Sequence, residues 1–332
     1  MRKLPPPIRE RFLELARQVA AYGLPDTRAW ILNNWRQAAS PEHGNRIFRY
    51  WSAIALASGV DPAARVCLDA GCGAGLLAVI LSLAGARRVV AVDILPDAVQ
   101  VVRQVARLGD LTNIEVEEGD IARLPPEWGP FDLAYSIEAI SHYRDYQGFL
   151  RLMYDLLAPG GVLIIRDANN GANPATVRRT REVWRAVEYG HPAGRCHGHT
   201  CPPGGFLSLR RDIIRATLPS LSEEQVDQYA RWTFGYNRDK IAETARRFAA
   251  GDLSLRSEFR PDVCPLDPRT DWFCEQLFDP YHLAAELREI GFRPRVHAHL
   301  TDRYPLADAI WGWLSPLTVR WSKAFVITAR KA

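Results

Sequence analysis

The chain has 332 residues, 47% of them apolar and 24% charged, with a formal charge of +4, the balance of a globular protein able to bury a large core. So small a positive excess does not call for a nucleic-acid partner, and no run reaches the roughly 18 apolar residues of a membrane span. The opening "MRKLPPPIRERF" lacks the apolar run of a secretory signal, and the six cysteines are scattered as in a reducing compartment, so a cytoplasmic protein is expected.

Before residue 60 the pattern is helical. "IRERFLELARQVAAYG" puts Ile8, Phe12, Leu15, Ala16 and Val19 on one face and stops at Gly23. A second helix is expected over "DTRAWILNNWRQA" with Asp26 as its cap, and a third over "GNRIFRYWSAIALASG", ending at Gly59. Residues 65 to 167 then alternate. "RVCLDAG", "RVVAVDI", "IEVEEGD", "FDLAYSIEA" and "VLIIRDA" read as strands, and helical stretches ending in Gly85, Gly109 and "PGG" separate most of them. Such alternation implies right-handed crossovers and a parallel sheet.

From about 170 to 278 the rhythm breaks into helices and Pro/Gly-rich loops, with Ser222 and Gln225 in capping-box spacing. It resumes at "DPYHLAAELREIGF", where Asp279 caps, Pro280 opens and Gly291 ends a helix, followed by strands "RPRVHAHL" and "SKAFVITAR". The expected fold is α/β: a Rossmann-like, seven-stranded, mostly parallel sheet with helices on both faces. Its parts are an N-terminal helical lid (1–60), a ligand-binding core (61–169), a largely helical insertion capping the substrate (170–278), and a C-terminal helix with the closing strands (279–332).

The glycine-rich turn "CLDAGCGAGLL" decides the ligand class. Gly71, Gly73 and Gly75 are spaced G-x-G-x-G, and Leu76 stands where a dinucleotide fingerprint has its third glycine. Asp69, two residues before Gly71, would repel a pyrophosphate at the helix N-terminus and suits a ligand with a positive amino group. S-adenosylmethionine carries an ammonium and a sulfonium and no phosphate. Asp93, 22 residues after Gly71, can accept from ribose hydroxyls, which NAD and S-adenosylmethionine share. Asp120 ends the third strand, where it can accept from an adenine amino group or cap the following turn.

On these residues the stretch 65–167 resembles the core of class I S-adenosylmethionine-dependent methyltransferases, in particular the small-molecule group (methyltransferase type 11/25-like) with a "DxGCGxG" first motif. The resemblance implies that Asp69, Gly71, Cys72, Gly73 and Gly75 hold the methionine end. It implies Asp93 and Ile94 for the ribose and the adenine face, and Asp120 and Ile121 for the adenine edge. Ser136 and Ile137, with Glu138, match the fourth-strand motif, and "LAPGGVLIIRD" the turn and fifth strand. The implied cofactor is S-adenosyl-L-methionine, with S-adenosyl-L-homocysteine as product.

Methyl transfer is an in-line displacement in which the protein aligns the acceptor and can remove its proton. His142, just past the fourth strand, is the candidate base, because imidazole titrates near neutrality. Glu138 is a second catalytic candidate; otherwise it serves as a structural bond to the glycine loop. Asp167, Asn169 and Asn170 stand at the end of the fifth strand, where "DANNG" is also good turn chemistry. "HPAGRCHGHTC" gathers His191, Cys196, His197, His199 and Cys201, but its spacings match no common zinc pattern, and a flexible covering loop with no metal is expected. Between Thr176 and Arg215 eight arginines face three acids, which suits an anionic or polyhydroxylated acceptor.

The expected activity is methyl transfer to an oxygen or nitrogen of a small, polar or anionic metabolite. The alternatives are an RNA or protein acceptor, or a non-catalytic S-adenosylmethionine-binding partner. No nucleic-acid or membrane partner is expected, and a homo-oligomer is compatible with the sequence.

Overall fold

The computed structural model describes residues 4–24, 27–190, 203–298 and 314–332, and the backbone of 195–196 and 199–200. The chain forms two compact units: residues 1–140, 145–168 and 279–332 make the first, and 141–144 with 169–278 the second.

The first unit opens with helices α1 (Pro6–Tyr22), α2 (Ala29–Ala39) and α3 (Gly44–Ala55). Their apolar faces meet in an aromatic knot, where Phe12 lies 6.4 Å from Trp35 and 5.7 Å from Phe48 between ring centroids. The expected cap of α2, Asp26, lies outside the described residues, and Arg28 holds the cap position without a side-chain bond to the helix amides. The first turn is tied from elsewhere in the sequence. The Arg28 N–H and the Thr27 hydroxyl both donate to Asp97 Oδ2, at 3.1 and 2.9 Å.

Strands and helices then alternate: β1 (Val66–Ala70), α4 (Leu76–Leu83), β2 (Arg88–Asp93), α5 (Pro96–Leu108), β3 (Ile114–Glu118), β4 (Phe131–Ile137), α6 (Tyr146–Leu156) and β5 (Leu157–Asp167). β1 is buried along its whole length and β2 at every residue but the first, which explains why both read as continuous apolar runs rather than as alternating ones.

The second unit contains α7 (Pro174–Tyr189), a two-residue antiparallel pair of β6 (Arg195–Cys196) and β7 (His199–Thr200), then α8 (Gly205–Thr217), α9 (Glu223–Arg231) and α10 (Arg238–Ala249). A hairpin of β8 (Leu266–Asp267) and β9 (Trp272–Phe273) follows. Ser222 and Gln225 form the capping box at the start of α9, with reciprocal bonds of 3.2 and 3.0 Å. Ile214, Val226, Ala230, Ile241 and Phe248 form an apolar core of this unit's own. Beside it Arg210 and Glu188 form an ion pair in which neither side chain is more than 2% exposed, and Arg210 Nε also donates to the Ala230 carbonyl at 2.8 Å. Losing either charge would strand the other, a cost of about 3–5 kcal/mol.

The chain returns to the first unit through α11 (Pro280–Ile290), β10 (Phe292–Ala298) and β11 (Phe325–Lys331). Asp279 caps α11 by accepting from the N–H groups of Tyr281 and His282. The sheet has seven strands in the order β10-β11-β5-β4-β1-β2-β3. β11 is antiparallel to both neighbours, while the pairs from β5 through β3 are all parallel. This is the Rossmann-like arrangement expected from the sequence. Among the described residues no helix is long and apolar enough to cross a membrane.

Candidate functional site

The chain runs β1-β2-β3 in one direction and then crosses back to lay β4 on the other side of β1. The crevice therefore opens at the carboxyl ends of β1 and β4, where open α/β sheets take ligands. Asp69 stands beside Ala91 of β2 and Tyr135 of β4 at this edge, next to Ala70, the last residue of β1.

The turn from β1 into α4 is built on glycines at positive φ: Gly71 (79°), Gly73 (50°) and Gly75 (75°). At Gly75 a side chain is doubly excluded, because its Cβ would lie 2.6 Å from Cγ2 of Val102. Four amides of this turn are occupied internally. Gly71 and Cys72 donate to the Val92 carbonyl at 2.9 Å, Gly75 donates to Cys72 O at 2.8 Å, and Gly73 donates to Asp93 Oδ2 at 2.8 Å. Four engaged N–H groups do not make the open amide nest that grips a pyrophosphate.

Asp69 is 2% exposed, and its Oδ2 has no hydrogen-bond partner among the described residues. Burial pushes its carboxyl up to about 7; the Ala78 N–H bond opposes that shift and the charge of Asp93 adds to it. A buried carboxylate oxygen without a donor is costly unless a ligand brings one, and a cationic ammonium is the donor that also restores ionisation.

Asp93, at the end of β2, is also raised by burial, against the bonds it accepts from Leu95 and Gly73. Its two oxygens clasp the glycine turn and the start of α5, which fixes the carboxylate at the crevice while lone pairs remain for ribose hydroxyls. The next residue, Ile94, is 42% exposed, an apolar platform left open. Asp120 caps the short 3₁₀ turn Ile121–Arg123 by accepting from Ala122 N–H at 3.0 Å, and pairs loosely with Arg123. Ile121, Ser136, Ile137 and Cys72 are buried, and burial pushes the Cys72 thiol well above its ordinary range.

These features suit a ligand with a positive amino group and no phosphate, and a family model described as a methyltransferase domain matches residues 62–231. The chain belongs to the methyltransferase-domain family. Its cofactor is S-adenosylmethionine, and the unpartnered Asp69 oxygen, the closed glycine turn and the open Ile94 face fit that molecule.

Several curated methyltransferases are similar in sequence. A ubiquinone biosynthesis O-methyltransferase from Methylocella silvestris is 39% identical over 31% of this chain and 39% of its own length. Another, from Xanthomonas axonopodis pv. citri, is 29% identical over 43% of this chain and 60% of its own. The chain thus covers less than two thirds of either relative. A trans-aconitate 2-methyltransferase from Methylobacterium radiotolerans is 29% identical over 62% of this chain and 73% of its own. Among solved structures, a putative S-adenosylmethionine-dependent methyltransferase from Listeria monocytogenes aligns over 85% of this chain and 96% of its own, at 14% identity and a TM-score of 0.46.

The remaining sequence candidates divide between the two units of the methyltransferase. In the first, Glu138 has φ 54°, a left-handed backbone that a non-glycine residue adopts only when its surroundings impose it. Its bond does not go to the glycine loop, as the sequence suggested. Its N–H donates to the Arg166 carbonyl, its carboxylate accepts from Ala168 N–H at 2.9 Å, and the same carboxylate pairs with the Arg166 guanidinium. Its carboxylate is thus bonded at the end of β5. Arg166 also lies 5.5 Å from the ring centroid of Tyr50. Asp167, at the end of β5, is fully buried.

In the second unit His142 ends the 3₁₀ turn Ile140–His142, and its Nδ1 lies 3.0 Å from the Phe273 carbonyl. A carbonyl only accepts, so Nδ1 is the donor in this bond. Asn169 and Asn170 serve the turn: Asn169 O accepts from Phe278 N–H, and Asn170 Oδ1 from Ala172 N–H. The side chains of the His/Cys-rich stretch 191–201 lie outside the described residues.

Sequence reasoning missed four contributors. Trp35 donates from Nε1 to the Ala74 carbonyl inside the glycine turn at 2.9 Å, Trp30 lies against Gly73, Asp97 ties down the start of α2, and Arg166 holds Glu138. Only Arg166 left a signal, as a cation directly after the apolar run "VLII" and within the expected strand.

Proposed function

We propose that the chain transfers the methyl group of S-adenosylmethionine to an oxygen or nitrogen of a small, polar or anionic metabolite. The observation that carries this reading is the buried Asp69 carboxylate, whose unpartnered oxygen waits for a cation at the mouth of a glycine turn closed to phosphate. The bound cofactor supplies an electrophilic methyl already activated by its sulfonium.

The chain's own residues then bind and orient. Asp69 takes the ammonium, Asp93 the ribose hydroxyls and Ile94 the adenine face, with Asp120 at the adenine edge. His142, whose Nδ1 donates to the Phe273 carbonyl, is the base that takes the proton of the acceptor. The ion pair between Glu138 and Arg166 holds the ends of β4 and β5 and orients the polar end of the acceptor.

Two observations support an anionic acceptor. Arg178, Arg181 and Arg185 repeat along one face of α7 and, three cations against the single acid Glu182, line a hollow of about 540 Å³ with Pro174 and Pro261. None of the three pairs with an acid among the described residues, so their forks are available to carboxylate or phosphate. The similar trans-aconitate 2-methyltransferase acts, by its name, on a polycarboxylate, and the ubiquinone enzymes, by theirs, on oxygen.

Methyl-labelled S-adenosylmethionine and an extract split into small-molecule, nucleic-acid and protein fractions test the reading. Label in the small-molecule pool supports it, and mass spectrometry of the product names the acceptor. Label in RNA or protein moves the reading to a macromolecular acceptor. Tight cofactor binding without label in any fraction favours a non-catalytic binding role.

A further inference from the structure

Trp30, in the first turn of α2, keeps 41% of its surface exposed, although an indole gains more from burial than almost any other side chain. It has not been left outside for want of an anchor. On one side the Thr27 hydroxyl and Arg28 N–H are bonded to Asp97; on the other, Trp35 is bonded to the Ala74 carbonyl. The turn bearing Trp30 is therefore fastened both to the start of α5 and to the glycine turn.

Between those two anchors the six-membered edge of the indole touches the glycine turn. Its Cη2 and Cζ3 atoms lie 3.0 and 3.3 Å from the point that a Cβ on Gly73 would occupy. At φ 50°, Gly73 gives the ring room that no other residue would leave. A partly exposed aromatic surface is thus held at the turn assigned to the methionine end of the cofactor.

That end carries two positive charges of different kinds. The ammonium can donate hydrogen bonds, and Asp69 waits for it. The sulfonium has no N–H or O–H to donate, so it is met by the field of an oxygen or by the negative face of an aromatic ring.

We propose that the Trp30 indole walls the cofactor site at its methionine end and recognises the sulfonium through its π system. The inference rests on the S-adenosylmethionine reading of the glycine turn and adds a specificity to it. S-adenosylhomocysteine, the neutral thioether left after transfer, makes every other contact but lacks the charge. Trp30 therefore favours the substrate form of the cofactor over the product form and eases product release.

The test compares dissociation constants for S-adenosylmethionine and S-adenosylhomocysteine, measured by titration calorimetry on the wild-type chain, Trp30→Phe and Trp30→Leu. Trp30→Leu is expected to weaken S-adenosylmethionine by about three- to thirtyfold and S-adenosylhomocysteine by less than about threefold, with Trp30→Phe between. Equal losses for both ligands in Trp30→Leu would show a wall blind to charge and overturn the proposal, as would unchanged constants. A wild-type chain that binds neither ligand would instead remove the cofactor reading on which the proposal stands. Trp30→Phe keeps an aromatic ring, so the comparison survives if the leucine variant does not fold.

Discussion

Lowering the pH from 8 to 6 should weaken binding of S-adenosylhomocysteine by about tenfold, through Asp69 alone. Its carboxyl is raised from 3.8 to about 7 because the side chain is buried, with only Ala78 opposing the shift. At pH 6 about ten in eleven unliganded molecules therefore hold it protonated, and the incoming ammonium must displace that proton at a cost of about 1.4 kcal/mol. At pH 8 fewer than about one in ten are protonated, and the cost falls to about 0.1 kcal/mol. The affinity should climb between pH 6 and 7 and flatten above that. Asp93, also raised by burial, shifts the effect in the same direction. Titration calorimetry at pH 6 in two buffers of different ionisation enthalpy should report release of about 0.9 proton per ligand bound. Asp69→Asn should bind weakly, with a flatter pH dependence. A wild-type affinity that does not change across this range, with no proton released, would refute the pairing of Asp69 with the ammonium.

The same shift has the opposite sign in the unliganded fold. A raised carboxyl contributes stability below the ordinary carboxylate range and loses it as pH rises through about 7, so Asp69→Asn should stabilise the cofactor-free chain at pH 8 by about 2 kcal/mol in urea denaturation. Gly75→Ala meets both the positive φ and Val102, and should cost about 2–4 kcal/mol in the same assay; a cost near zero would contradict the close approach of the turn to α5. Glu138→Gly relieves about 1 kcal/mol of backbone strain but leaves the 10%-exposed Arg166 side chain without its carboxylate, so a net loss of about 2–3 kcal/mol is expected in thermal unfolding, and a gain would show that the pair does not hold the strand ends. Arg181→Glu with Arg185→Glu should raise the Michaelis constant for the acceptor about tenfold or more while leaving S-adenosylhomocysteine binding unchanged, and an unaltered constant would end the role of the α7 hollow.

What the sequence disclosed follows the range of the interaction. β1, β2, β4 and β5 were legible because buried strands write apolar runs, β3 because its half-buried residues alternate with period two, and Gly71, Gly73 and Gly75 because the tight turn at positive φ favours glycine. The caps at Ser222 and Asp279 were legible because donor and acceptor lie within three residues. The start of α2 was not. Its tie comes from Asp97, 70 residues beyond Thr27, and no periodicity within the helix reports that bond. Trp30 against Gly73 and Arg166 on Glu138 were hidden for the same reason, since the sequence names the side chains but not which of them the sheet order brings together. His142 was found as a residue type, whereas its Nδ1 bond goes to a carbonyl 131 residues away.

The place of β11 has a consequence for how the chain acquires this sheet. β11 lies between β5 and β10, and its Phe325 and Ile327 are fully buried, so until it arrives β5 is an edge strand of Ile164 and Ile165 with unpaired amides. Residues 169–278, the bulk of the second unit, are synthesised between those two partners. A nascent chain therefore carries an open, sticky edge through the making of more than a hundred residues, and closing so long a loop makes this pairing a slow event in folding. During that interval aggregation competes with completion of the sheet, and a chaperone that masks the β5 edge should raise the yield of folded protein.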